Sequence, residues 1–210
     1  MTTARNRGRP RKTNSCLSSK ILKAAVQRFA HIGFAETALR DIAGDAGVDV
    51  ALIAYQFGNK LQLWKKVVEE VGGSLLNHLA GIEAANAPQS AADRLELALD
   101  GLLDFLVANP VVPQFILRDL SHDPDREAWI REKITLPLFA NLRALADAAA
   151  QGGMAPASHR AFAIANFIYA AAGAVARRNQ LGSVIPELKH DAAFRAALDA
   201  TLLRPVIRND

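Results

Sequence analysis

Residues 37–60 read TALRDIAGDAGVDVALIAYQFGNK, and this stretch decides the fold. Leu39, Ile42, Ala43 and Ala46 recur at helical spacing, and Thr37 stands before them as an N-cap whose hydroxyl can take an orphan backbone N–H. Gly47 stops this helix, at a position that would strain a residue carrying a Cβ, and the small Ala43 and Ala46 let the next helix cross closely. In that second helix Val48 and Ile53 pack inward, while Val50, Ala51, Leu52, Tyr55 and Gln56 face out. The spacing predicts a helix-turn-helix whose outer face is the right size for a DNA major groove.

On either side the chain reads as all-α, with about nine helices by periodicity and no strand-like alternation or internal repeat. A helix from about Ser18 carries Ile21, Leu22, Ala25, Val26 and Phe29 on one stripe and closes at Gly33. Lys60 opens a long helix striped by Leu63, Val67, Val71, Leu75 and Leu79, which ends by Asn86–Pro88. Further helices are expected from Ala91 to Val107 and from the strong start signal Asp123–Pro124 to Ala150, the latter with Pro137 as a kink or break, and a short apolar segment runs from Val111 to Leu120 between them. The final two run from Ser158 to Arg178 and from His190 to Leu203, joined by a loop containing Gly182 and Pro186.

Composition narrows the function. Half of the 210 residues are hydrophobic and the net charge is +4, but Arg5, Arg7, Arg9, Arg11, Lys12, Lys20, Lys23 and Arg28 all precede the first acidic residue, Glu36. The positive end is the one suited to a polyanion. Residues 1–14 lack apolar periodicity and read as a flexible basic arm, followed by a helix-turn-helix domain over 15–62 and a helical domain over 63–210. Within the arm, Arg7-Gly8-Arg9-Pro10 resembles an AT-hook, which lies in the minor groove of A·T-rich DNA; a solvated charged tail is the other reading. The single cysteine, Cys16, excludes an internal disulfide framework and suits a reducing cytoplasm. The longest apolar run, 161–176, is Ala-rich and short for a membrane span, so no membrane partner is expected.

The segment Ile21–Trp64 resembles the DNA-binding domain of the TetR family of bacterial transcription regulators. The matching features are Ile21-Leu22, Ala24-Ala25, Phe29, Gly33, Thr37, Arg40, Ile42-Ala43, Ala46-Gly47-Val48, Tyr55, Phe57, Lys60 and Leu63. Its Tyr55-Gln56-Phe57-Gly58-Asn59-Lys60 is similar to the Tyr-His-Phe-Gly-x-Lys that ends the recognition helix in one subgroup. The resemblance implies DNA contacts at Thr37, Arg40, Tyr55, Gln56 and Lys60, with Val50, Ala51 and Leu52 facing base edges. Asp49, where the family has a small serine or threonine, is expected to cap the recognition helix. The implied partners are a palindromic double-stranded operator, a second copy of the chain and a small-molecule effector whose binding moves the long helix after Lys60.

Catalysis has no counterpart to these signals. His31, His78, His122, His159 and His190 are scattered, Asp123 has a capping task, and no Gly-rich phosphate loop or nucleophile elbow occurs, so neither enzyme activity nor a cofactor or metal is expected. Candidate residues of an apolar effector pocket are Phe105, Phe115, Trp129, Phe139, Asn166 and Tyr169, each of which also reads as ordinary core. The helix around 160–176 is apolar on most of its circumference, which places a dimer interface at Phe162, Phe167, Ile168, Ala171, Val175, Phe194 and Leu198. The expected function is a ligand-released repressor. The alternative is a DNA-binding protein whose C-terminal half docks a protein partner.

Overall fold

The computed structural model describes residues 11–86, 90–119, 123–151 and 159–208, all connected as helices and short turns with no strand among them. The arm residues Arg7 and Arg9 lie outside this range. The described residues form ten helices: α1 (Arg11–His31), α2 (Leu39–Ala46), α3 (Val50–Phe57), α4 (Lys60–Asn86), α5 (Ala91–Ala108), α6 (Val111–Asp119), α7 (124–151), α8 (Arg160–Ala176), α9 (Arg178–Val184) and α10 (191–208). Among the described residues no helix is long and apolar enough to cross a membrane. The chain divides into two compact units, Met1–Val67 and Val68–Asp210, and the division falls inside α4.

Two elements depart from expectation. Helix α1 starts at Arg11, not near Ser18, so 11–14 of the expected arm are helical; nothing after Pro10 breaks the helix, and polar residues pass unnoticed where apolar periodicity is the only signal. The loop expected around Gly182 contains α9 and a 3₁₀ turn, Pro186–Lys189. Arg178 closes this hairpin, donating to the carbonyls of Leu188 and Lys189 and pairing with Asp191.

In the first unit, Ile21, Ala25, Phe29, Ile42, Ile53, Leu63 and Trp64 form a closed core, with Phe34 stacked on Phe29 and edge-on to Trp64. Lys60 controls the α1–α2 connection. Its ammonium donates to the carbonyls of Phe34, Ala35 and Thr37 at 2.8, 3.0 and 2.9 Å and stands 4.6 Å from the centre of the Phe34 ring. A lysine has three N–H donors, and here each has a backbone carbonyl that no helix serves. Thr37 belongs to the same arrangement: it is 2% exposed, and its hydroxyl donates to Gly33 O at 2.6 Å. It does not cap α2; Ala38 occupies the N-cap position without a side-chain bond. Arg28 then ties α1 to α2 by a two-bond ion pair with Asp45, Nε–Oδ2 2.5 Å and Nη2–Oδ1 2.9 Å.

In the second unit, α5 opens with a reciprocal capping box between Ser90 and Asp93 and buries Leu95, Leu99, Leu102, Leu103 and Phe105. Asp123 caps α7 as expected, accepting from the amides of Asp125 and Arg126. Helix α7 continues past Pro137 by taking a π-helical turn, Arg131–Thr135, just before it. Arg195 of α10 pairs with Asp100 and Asp104 of α5. The inner faces of α8 and α10 therefore close this unit's own core: Phe167, Ile168, Ala171, Val175, Phe194 and Leu198 are all buried within one protomer. Their cover thus comes from within one protomer, and of the seven residues expected at a dimer interface only Phe162 is exposed, at 72%.

Replacing Lys60 with Met removes three charge-assisted bonds from half-exposed carbonyls and should destabilise the first unit by about 2–3 kcal/mol. The urea midpoint followed by Trp64 emission in a Trp129→Phe background measures this, and Lys60→Arg should restore only part of the loss. The hydrogen bond from Arg28 holds the Asp45 carboxyl below the usual carboxylate range. A carboxylate with a lowered folded-state pKa contributes stability above its unfolded pKa and loses it as the pH falls through the folded value. Asp45→Asn should therefore lower the urea midpoint at pH 7 and flatten its decline below about pH 4.

Candidate functional site

Helix α3 is short, carries no charged residue and is fixed at both ends. Asp49 accepts from the Ala51 amide at 2.7 Å and caps its start, and Gly58 ends it with φ +80. Gly47, at φ +66, makes the left-handed turn that aims α3 away from α2. Ile53 is wholly buried and anchors the helix, while Val50, Ala51, Ala54 and Tyr55 are exposed, Tyr55 at 86%. Leu52 is half-buried, so it offers less surface than the sequence suggested. Ala54 joins the exposed face although it was not among the expected residues; an alanine carries no chemical signal, and helical phase alone could have placed it.

Exposed cations stand on α1 and α2, and none on α3 itself. The Arg40 side chain on α2 is 84% exposed, with a 3.7 Å approach to Asp41. Lys20 and Lys23 of α1 are exposed as well. Ser18 of α1 donates to the Gln56 side-chain oxygen at 3.0 Å, which ties α1 to α3. Two expected DNA contacts are otherwise occupied. The Lys60 ammonium is spent on three carbonyls and the Thr37 hydroxyl on Gly33 O, so both position the helix-turn-helix from behind.

The second unit holds an apolar cavity. Leu75 of α4, Leu102 of α5, Ile116 of α6, Ile134 and Thr135 of α7 and Tyr169 of α8 are among its walls, and Thr135 and Tyr169 supply its only polar side chains. About 50 Å³ is open inside it. A wider cleft of about 300 Å³ lies among α4, α5 and α7, lined by Leu76, Leu97, Pro137 and Asn141, with the Arg94–Glu83 ion pair in its wall. Of the expected pocket residues, Tyr169 lines the apolar cavity; Phe105, Phe115, Trp129, Phe139 and Asn166 line neither void. Phe105 and Phe115 are core, Trp129 lies under the Lys133 ammonium at 4.8 Å, and Asn166 is exposed. Beside Phe105, 5.4 Å between ring centres, His78 has its Nε2 buried without a hydrogen-bond partner. Among the described residues, no three His, Cys, Asp or Glu side chains gather where they could hold a metal ion.

Residues 21–67 match the sequence profile of bacterial regulatory proteins of the tetR family. Over 78 residues the chain is 36% identical to the HTH-type transcriptional repressor Rv3405c of Mycobacterium tuberculosis, covering 37% of this chain and 42% of that protein. Over 104 residues it is 29% identical to the probable HTH-type transcriptional regulator YttP of Bacillus subtilis, covering 50% of each. The chain thus spans about half or less of the curated relatives it matches. Among solved structures, the fatty acid degradation regulator FadR of Bacillus halodurans superposes with a TM-score of 0.72 at 18% identity, over 91% of this chain and 94% of that one. FadR of Bacillus subtilis in complex with stearoyl-CoA gives 0.67 at 18% identity, over 91% and 98%. At such identity these two establish a shared fold. Residues 21–67, folded around the helix-turn-helix, are therefore the part of the chain that is similar to the bacterial regulatory proteins of the tetR family.

Proposed function

We propose that this protein is a sequence-specific transcriptional regulator that acts as a homodimer, a repressor released from its operator by a small, mainly apolar molecule. The exposed, rigidly capped α3 carries the reading: Val50, Ala51, Ala54 and Tyr55 form an uncharged face with Arg40, Lys20 and Lys23 on neighbouring helices. Apolar side chains can touch thymine methyl groups, and flanking cations and the Gln56 amide can take phosphates. Arg7 and Arg9 extend this reach into the minor groove in the AT-hook reading.

Support for the effector comes from the nearly all-apolar cavity, which favours a small molecule over a protein partner. Its occupation would shift α4 and with it the separation of two recognition helices, which must match the spacing of half-sites. Support for the dimer comes from the exposure of Phe162 and Tyr169 on α8 and of Ala196 and Ala200 on α10. A second copy covering these faces would complete a four-helix bundle.

Selection from a random double-stranded library should yield a palindromic site; binding without preference among sequences would overturn the regulator reading. On that site, Arg40→Ala and removal of residues 1–10 should each lower affinity and flatten its salt dependence by about 0.9 log units per lost phosphate contact. Phe162→Glu should convert the dimer to a monomer in sedimentation and weaken palindrome binding by more than about tenfold, since one half-site contact alone remains.

A further inference from the structure

Pro137 and Gly72 meet at one backbone atom, the carbonyl oxygen of Lys133. A proline lacks the N–H that the carbonyl four residues earlier would accept, and its ring collides with that carbonyl. Helix α7 answers by widening into the π-turn Arg131–Thr135, closed by the Leu136 amide on Arg131 O. The same arrangement recurs in α10, where the π-turn Asp199–Leu203 precedes Pro205 and the Arg204 amide closes on Asp199 O. In α7 the released carbonyl lies against α4 at Gly72. A Cβ there would stand 2.7 Å from Lys133 O and 3.2 Å from Ile134 Cγ1, so the contact requires glycine.

The same turn is a wall of the apolar cavity, through Ile134 and Thr135, and Leu75, one helical turn along α4 from Gly72, is another. With about 50 Å³ open, against roughly 300 Å³ or more in ligand sites generally, the cavity admits a molecule of more than a few atoms only by displacing its walls. The π-turn is the segment of that wall outside the regular α-helical ladder, and such turns recur at functional sites.

We propose that the π-turn Arg131–Thr135 senses occupancy of the cavity by an uncharged apolar molecule, and that Lys133 O and Ile134, seated on Gly72, pass the displacement to α4. This rests on the effector reading above and names the contact that carries it. Gly72 and Pro137 are positioning residues: one admits the carbonyl and the other releases it. A charged ligand is excluded because neither Thr135 nor Tyr169 could compensate a buried charge.

The test uses the full chain, the selected palindrome and N-phenyl-1-naphthylamine as the uncharged probe. In the unaltered protein, saturating probe should weaken DNA binding by about 5- to 150-fold, and DNA should weaken probe binding by the same factor. Gly72→Ala, which wedges α4 away from the turn, and Pro137→Ala, whose restored amide recaptures Lys133 O, should each reduce that factor below about twofold while thermal unfolding stays cooperative. Hydrogen exchange of the unaltered protein gives a variant-free readout: the probe should change exchange at 131–136 and at 72–76 together. Undiminished coupling in both variants, or an exchange change that leaves 72–76 untouched, overturns the role of the π-turn alone. An unaltered protein that fails to bind the probe, or binds it without releasing DNA, overturns the effector reading and the inference with it.

Discussion

Three carbonyls on one ammonium hold the helix-turn-helix in place. The loop between α1 and α2 leaves Phe34, Ala35 and Thr37 with carbonyls that no helix serves, and Lys60, at the start of α4, gathers all three. Because buried or half-buried backbone groups must be paired, the orientation of α2 against α1 and α4 depends on that side chain. Thr37 completes the arrangement by returning its hydroxyl to Gly33, and the Phe29–Phe34–Trp64 ring cluster fills the space beneath. The outward aim of α3 follows, since Gly47 and Asp49 only fix its start relative to α2.

That arrangement separates two tasks the same residue types could serve. A lysine or threonine near a recognition helix is chemically fit to bind phosphate, yet here both are consumed in positioning. The exposed cations on the helices preceding α3 include Arg40 on α2 and Lys20 and Lys23 on α1. An α3 without charge keeps its own dipole-facing N-terminus for Asp49 and presents methyl groups and one phenol outward. In the proposed interface, shape and apolar contact therefore carry more of the discrimination than side-chain hydrogen bonds.

Prolines organise the second unit in a comparable way. Pro137 and Pro205 each follow a π-turn, and neither breaks its helix, because widening by one residue avoids the collision with the carbonyl four positions back. In α7 the widened turn is accommodated only because α4 presents a glycine, so a local defect on one helix and a missing side chain on another become a single contact. Packing interiors are close to solid, and a wall built on such a contact is where the small apolar cavity can yield.

The sequence by itself determined what is local. Helical periodicity, the stop at Gly47, the caps Asp49 and Asp123 and the pattern of Ile21–Trp64 were enough for the all-α class and the helix-turn-helix, because caps and periods involve residues only a few positions apart. Tertiary structure decided what those residues face. Lys60 reaches carbonyls 23–26 positions away, a distance no period reveals. Phe167, Ala171, Val175 and Phe194 read as an uncovered apolar stripe, and only the packed unit shows that α5, α8 and α10 cover one another, leaving Phe162 outside. Pro137 was legible as a disturbance, but its outcome depended on Gly72 across the interface. An apolar pattern states that a face must be buried; it contains no information about which surface buries it.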